Sequence, residues 1–197
     1  MTVTTWRTDP AHADIQFSAK HMMVTTVRGK FAEVDGSLTL DEADPAASSG
    51  SFTVRAASLT TGNDQRDGHL RSADFFAAET YPEITFVSTG VTPRRGSDYA
   101  VTGDLTIRGT TRPITFDVEF LGLYDGFQGR RAGFHATTRL NREDWGLTWN
   151  VTLETGGWLV GKEIKLEIDL ALDEVVTPAA GIGVPAPAGA EAQPATA

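Results

Sequence analysis

The obvious candidates for metal or acid–base chemistry in this chain are its four histidines and its carboxylates, and it contains no cysteine. Thiolate nucleophiles, disulfides and cysteine-based zinc sites are thereby excluded. His12, His21, His69 and His135 stand far apart, and none has the spacing of an HExxH-type metal site. No Gly-x-Ser-x-Gly elbow is present, and the glycine-rich spots match neither Walker nor dinucleotide patterns. Neither a catalytic residue, a metal nor a cofactor is expected. The densest group of capable side chains is the run from Arg66 to Phe76, Arg-Asp-Gly-His-Leu-Arg-Ser-Ala-Asp-Phe-Phe, followed by Tyr81-Pro82-Glu83-Ile84-Thr85-Phe86. An enzyme would have to be built from His69 with Asp67 or Arg71. The pair Asp67 and Asp74 reads more simply as helix capping or rim charge than as an acid–base dyad. The segment as a whole suits a cover over the end of a β-structure, with its aromatics inside and its charges at the rim.

The elements that must hold this segment are strands. Apolar residues alternate with polar ones at Ile15 and Phe17, Leu38 and Leu40, Phe52 and Val54, and Ile84 and Phe86. The pattern continues through Tyr99, Val101, Leu105 and Ile107, then Ile114, Phe116, Val118 and Phe120, then Phe134, Ala136 and Leu140. It closes with Ile164, Leu166, Ile168, Leu170 and Leu172. Turn-formers separate the runs: Asp44-Pro45 to Ser49-Gly50, Arg95-Gly96-Ser97-Asp98, Arg108-Gly109-Thr110, Asp125-Gly126 and Gly156-Gly157. Phe31 and Val34 are out of phase, which predicts a bulge near Ala32 and Glu33.

The count is roughly eight strands with short connections, an antiparallel meander. The long final run, about Trp158 to Leu172, favours closure into an all-β barrel, since closure removes an exposed edge. A β-sandwich is the structural competitor. One or two short helices are expected, one of them capped by Ser72 or Asp74 and carrying Phe75 and Phe76. Asn141 to Asn150, with Trp145 and Trp149, is a second irregular stretch. The barrel domain is placed at residues 1–175. Residues 176–197 are rich in Ala, Pro and Gly and read as a disordered tail.

The formal charge of −9 over 197 residues repels phosphate backbones, so nucleic acid is not expected as a partner. Arg94-Arg95 and Arg130-Arg131 read as solvated turns beside glycines. No segment approaches the ~20 apolar residues of a transmembrane helix. The N-terminus has neither a basic n-region nor an apolar h-region, and the expectation is a soluble cytoplasmic protein. Phe17, Phe52, Phe86, Tyr99, Phe116, Phe120 and Phe134 lie on inward faces, where they either fill a dry core or line a tunnel.

Five stretches, in order, resemble the YceI-like family. They are Asp9-x-x-His12-x-x-Ile15-x-Phe17; Val27-Arg28-Gly29-Lys30-Phe31 with Gly36 and Leu38; Arg66 to Phe76 with Tyr81-Pro82-x-Ile84-x-Phe86; Val101-x-Gly103-Asp104-Leu105-Thr106-Ile107-Arg108-Gly109 leading to Pro113; and Arg142-x-Asp144-Trp145-Gly146-Leu147 with Gly157 and Val160-Gly161. The first departs from the family pattern at Ala13, where a Ser is common. The resemblance implies a lipocalin-like barrel whose tunnel holds a polyisoprenoid of prenyl or quinone type, bound for sequestration or transport without catalysis. It makes the inward aromatics, with Phe75, Phe76 and Trp145, the tunnel wall. It places Arg66, Asp67, His69 and Arg71 near the mouth, where an Arg or His meets a polar headgroup or all four form a salt-bridged cover. It also admits a homodimer. The other readings are a ligandless stress-response or interaction barrel and, third, an enzyme using His69.

Overall fold

The computed structural model describes residues 3–126, 129–154 and 156–176; most of the predicted tail lies outside the described residues. The strands are β1 (Val3–His21), β2 (Thr25–Phe31), β3 (Val34–Asp41), β4 (Ser49–Arg55), β5 (Leu59–Thr60) and β6 (Glu83–Pro93). They continue with β7 (Asp98–Ile107), β8 (Thr110–Gly126), β9 (Gly129–Asn141) and β10 (Val160–Glu174), and helix α1 covers Asp64–Arg71. Eight strands close in the order β1-β3-β4-β6-β7-β8-β9-β10, with β10 returning to β1, and every pairing is antiparallel. The barrel reading holds over the sandwich, with β2 and β5 as additional strands.

The alternation explains the inside. Trp6 pairs with Leu38, Phe52 with Phe86, Tyr99 with Val118, and Phe120 with Phe134, so each apolar residue faces its like across the ladder. The β7–β8 hairpin turns on Arg108 and Gly109 alone, with φ of +50° and +72°. A two-residue loop of this hand needs positive φ at both positions, which glycine supplies without strain.

Three local expectations are corrected. Ala32 and Glu33 are a break between β2 and β3, not a bulge within one strand. The 19-residue β1 spans both: its start pairs with β3 and its end with β2. The helix lies earlier than predicted. Asn63 caps it, accepting the Arg66 amide at 3.0 Å, and it stops at Ser72. Phe75 and Phe76 therefore follow the helix in a turn. The arginine doublets are not merely solvated turns. Arg94 pairs with Asp117 at 2.6 Å, and Arg130 reaches Glu42 (2.7 Å) and Glu174 (3.4 Å) while lying over the Trp6 ring. Arg131 binds Asp9 at 2.7 Å and Asp173 at 2.8 Å.

That last cluster crosses the closing seam. The β1–β10 register shifts between Thr8 and Ala13, beside Pro10, which has no N–H to donate to the ladder. Arg131 of β9 ties Asp9 of β1 to Asp173 of β10 at this weak point. The Asp9 carboxyl titrates below its ordinary 3.8, chiefly because it accepts a hydrogen bond from His12 (2.7 Å). Burial works the other way, and the Ala11 amide and the Arg131 charge add to the lowering. A carboxyl depressed on folding contributes stability above its unfolded pKa and loses it as pH falls through its folded value. Asp9→Asn is therefore expected to cost about 1 kcal/mol at neutral pH and close to nothing well below pH 3.8. Urea unfolding of both chains across that range checks this; a cost that does not change with pH would rule out the charge-based clamp.

Candidate functional site

The barrel interior is hollow. Inward residues such as Phe17, Phe86, Val118, Phe134, Ala136 and Leu166 are only half-buried, although the wall around them is closed. The space they line is about 590 Å³, within the ~300–1,000 Å³ range of ligand pockets. It runs the length of the barrel, from Glu42 and Leu123 at one end to His21 and Leu159 at the other.

Small residues keep it open. A methyl group at Gly29, Gly36 or Gly103 would overlap the ring of Phe17, Phe52 or Phe86, respectively. Gly29 pairs directly with Phe17, and Gly36 with Phe52. Each ring thus lies flat over a glycine of the neighbouring strand instead of reaching across the lumen. The Phe86 ring then meets Phe116 edge-on, with centroids 5.2 Å apart.

The two ends are built differently. At one end Trp6 is fully buried in a cluster with Leu172 and Ala132. The other is covered by α1 and the turns beyond it. Asp67 is buried beneath the cover and accepts the Thr60 hydroxyl at 3.0 Å, the Thr61 amide at 2.9 Å and the Thr61 hydroxyl. Burial alone would raise its pKa, but these hydrogen bonds outweigh it and hold the carboxyl below its ordinary value. Arg108 donates to Ala73 O (2.8 Å) and Gly146 O (3.0 Å), and the Trp145 indole donates to Leu105 O (3.0 Å).

Of the residues singled out from sequence, the structure brings Phe17, Phe52, Phe75, Phe76, Phe86, Tyr99, Phe116, Phe120, Phe134, Trp145, Arg66 and His69 onto one cavity wall. Arg71 is not on it. Its guanidinium donates to the carbonyls of Ala57 and Leu59, bracing the helix to the chain before it. Arg66 donates to the hydroxyl and carbonyl of Thr61. The cover is therefore held by carbonyls and hydroxyls more than by salt bridges. His69 is the exception, pairing with Asp74 at 2.9 Å while its ring stacks edge-on to Phe75 and Trp149. Asp67 and Arg71, named with His69 from the sequence, are bonded instead to Thr60 and Thr61 and to the carbonyls of Ala57 and Leu59.

Arg142 was assigned no role from sequence, yet it is the most distinctive polar group on the wall. It is only 3% exposed and lines the cavity with its guanidinium over the Phe75 ring, 5.8 Å from the centroid. It donates to Gly161 O (3.0 Å), Val160 O (3.4 Å) and Leu147 O. Burial lowers its pKa against the opposing charge of Glu143, which itself pairs with Lys162 at 2.9 Å. Among the described residues Arg142 makes no ion pair. The signal was the strand phase: Phe134, Ala136, Leu140 and Arg142 share parity on β9, so the inward face continues one residue past the strand.

Comparison with known proteins follows this geometry closely. The family model for the YceI-like domain matches residues 6–172. A UPF0312 protein of Staphylococcus aureus is 40% identical over 169 residues, covering 84% of this chain and 95% of its own. The crystal structure of Burkholderia cenocepacia BcnA superimposes with a TM-score of 0.72 at 26% identity, covering 83% of this chain and 98% of that one. A polyisoprenoid binding domain from Saccharophagus degradans has the same fold, with a TM-score of 0.62 at 15% identity, covering 88% of this chain and all of its own (100%).

The glycine–phenylalanine pairs give a direct check of how the lumen is held open. Gly36→Ala is expected to push Phe52 inward, reduce uptake of an apolar fluorescent dye and cost about 1–3 kcal/mol. In a Phe52→Ala background the same change should cost much less, because the clash is gone. Equal costs in the two backgrounds would show that the ring does not need the glycine.

Proposed function

Since the chain belongs to the YceI-like domain family, we propose that it is a non-catalytic binder of a long-chain isoprenoid or similar lipid, of prenyl or quinone type, which it sequesters or carries. The observation that supports this reading most is the apolar lumen, about 590 Å³, running through a closed wall. A slender chain placed there leaves water at ~0.8 kcal/mol per buried methylene. Because its shape rather than polar contacts would hold it, the same wall accepts chains of related length. The domain from Saccharophagus degradans, described as polyisoprenoid binding, shares the architecture.

Polar groups gather at the covered end, and this gives the ligand a direction. Arg142 has five N–H donors and spends three on carbonyls, leaving others for a headgroup oxygen. His69 and Arg66 line the same end. The tail would then run toward Tyr99, Phe120 and Phe134. Asp67, which the sequence offers as a partner for His69, is bonded to Thr60 and Thr61 instead, and His69 pairs with Asp74.

Organic extraction of protein purified from its native host, followed by mass spectrometry, tests the reading. A stoichiometric prenyl species is expected. Ala136→Trp, which fills the lumen from the wall, should abolish uptake of added solanesol while the thermal transition remains cooperative. A clean extract together with failure of the unmodified chain to take up solanesol would leave a ligandless barrel as the better reading.

A further inference from the structure

The covered end carries an exposed apolar rim that the lipid-binding reading does not use. β1 and β2 are joined by Met22, Met23 and Val24, which are 46%, 61% and 79% exposed. Met22 and Met23 both have positive φ, 51° and 64°. Two successive long side chains in this region are strained, and glycine or asparagine would be the ordinary choice. The strain turns two thioethers and an isopropyl group toward solvent.

A second hairpin stands beside this one. The Met22 amide donates to Leu159 O at 2.8 Å, and a methyl group at Gly157 would touch the Met23 side chain at 3.5 Å. This hairpin adds Trp158 and Val151, 45% and 46% exposed. The rim is continuous with the cavity, whose wall ends at Lys20, His21, Leu159 and Val160. Lys20 stands at this rim, where its ammonium donates to the Thr26 hydroxyl at 3.2 Å, and Lys162 is paired with Glu143 at 2.9 Å. Lys162 lies over the Trp158 ring at 5.8 Å, an indole–ammonium pair suited to a boundary between apolar and polar phases. The opposite end also exposes Leu121, Leu123 and Tyr124, but these share a strand with Glu119 and Asp125.

We propose that Met22, Met23, Val24, Val151 and Trp158 dock the mouth of the barrel onto a lipid bilayer, so that a lipid passes between membrane and lumen without crossing water. This rests on the lipid-binding reading. A bilayer is the occupant that matches an exposed apolar tip with an indole at its edge and a lipid-sized apolar cavity that begins at the same residues.

The test is flotation of the full chain with phosphatidylcholine–phosphatidylglycerol vesicles containing no isoprenoid, and separately solanesol uptake from detergent micelles and from vesicles. The unmodified chain should float. The triple change Met22→Ser, Met23→Ser, Val24→Ser, and Trp158→Ala alone, should each reduce partitioning and vesicle-to-protein transfer by about tenfold or more. Uptake from detergent and the thermal transition should be unchanged. Normal detergent uptake without flotation would overturn the docking surface alone, while failed detergent uptake by the unmodified chain would remove the lipid-binding reading with it. Sedimentation showing a dimer that the triple change dissociates, with vesicle binding absent, would assign the rim to a second copy and also overturn the proposal.

Discussion

The structure depends on one seam. Unless β10 pairs with β1, the sheet is an open ribbon with two long edges, and the inward aromatics have no enclosed space to face. The seam has to pass an interruption at Pro10, where the register shifts. It does so with Arg131, a single side chain from the third strand along, holding one carboxylate on either side of the break. β1 serves two partners, β3 along its start and β2 along its end. The end where β2, β5 and α1 lie is the end that carries the cover and the buried Arg142.

Closure alone would not give a lumen, because an eight-stranded barrel is just small enough to be filled by its own side chains. What keeps it hollow is the placing of bulk. Phe17, Phe52 and Phe86 are each set against a glycine of a neighbouring strand, so aromatic surface is presented to the lumen without occupying it. A lumen made in this way is almost wholly apolar, and one buried cation becomes conspicuous. Arg142 is tolerated because three carbonyls and the face of Phe75 replace its water, not because a carboxylate neutralises it. Apolar wall and cationic end together explain why a chain with a polar head suits the site better than a compact polar metabolite.

Much of this was legible in the residues. Strict alternation marked Phe116, Val118 and Phe120, or Leu166, Ile168 and Leu170, as one face of a strand, and turn-formers separated the strands. Five ordered motifs gave the family. Errors arose where local pattern gave no information about a partner. Arg71 shares a segment with Arg66 and His69, yet helical geometry sends it outward to Ala57 and Leu59. The helix was placed too late because Ser72 and Asp74 are as good caps in isolation as Asn63. Arg130 and Arg131 look like any charged pair at a turn until Glu42, Glu174, Asp9 and Asp173 arrive from distant strands.

By itself, then, the sequence determined the strand class, the inward face of each strand and the family. These follow from period-two patterning and turn chemistry, which act over a few residues. Whether Phe17, Phe52 and Phe86 fill a core or line a cavity was decided only in three dimensions. That outcome depends on which residue of the next strand each ring meets, and register between strands is fixed by closure of the whole sheet.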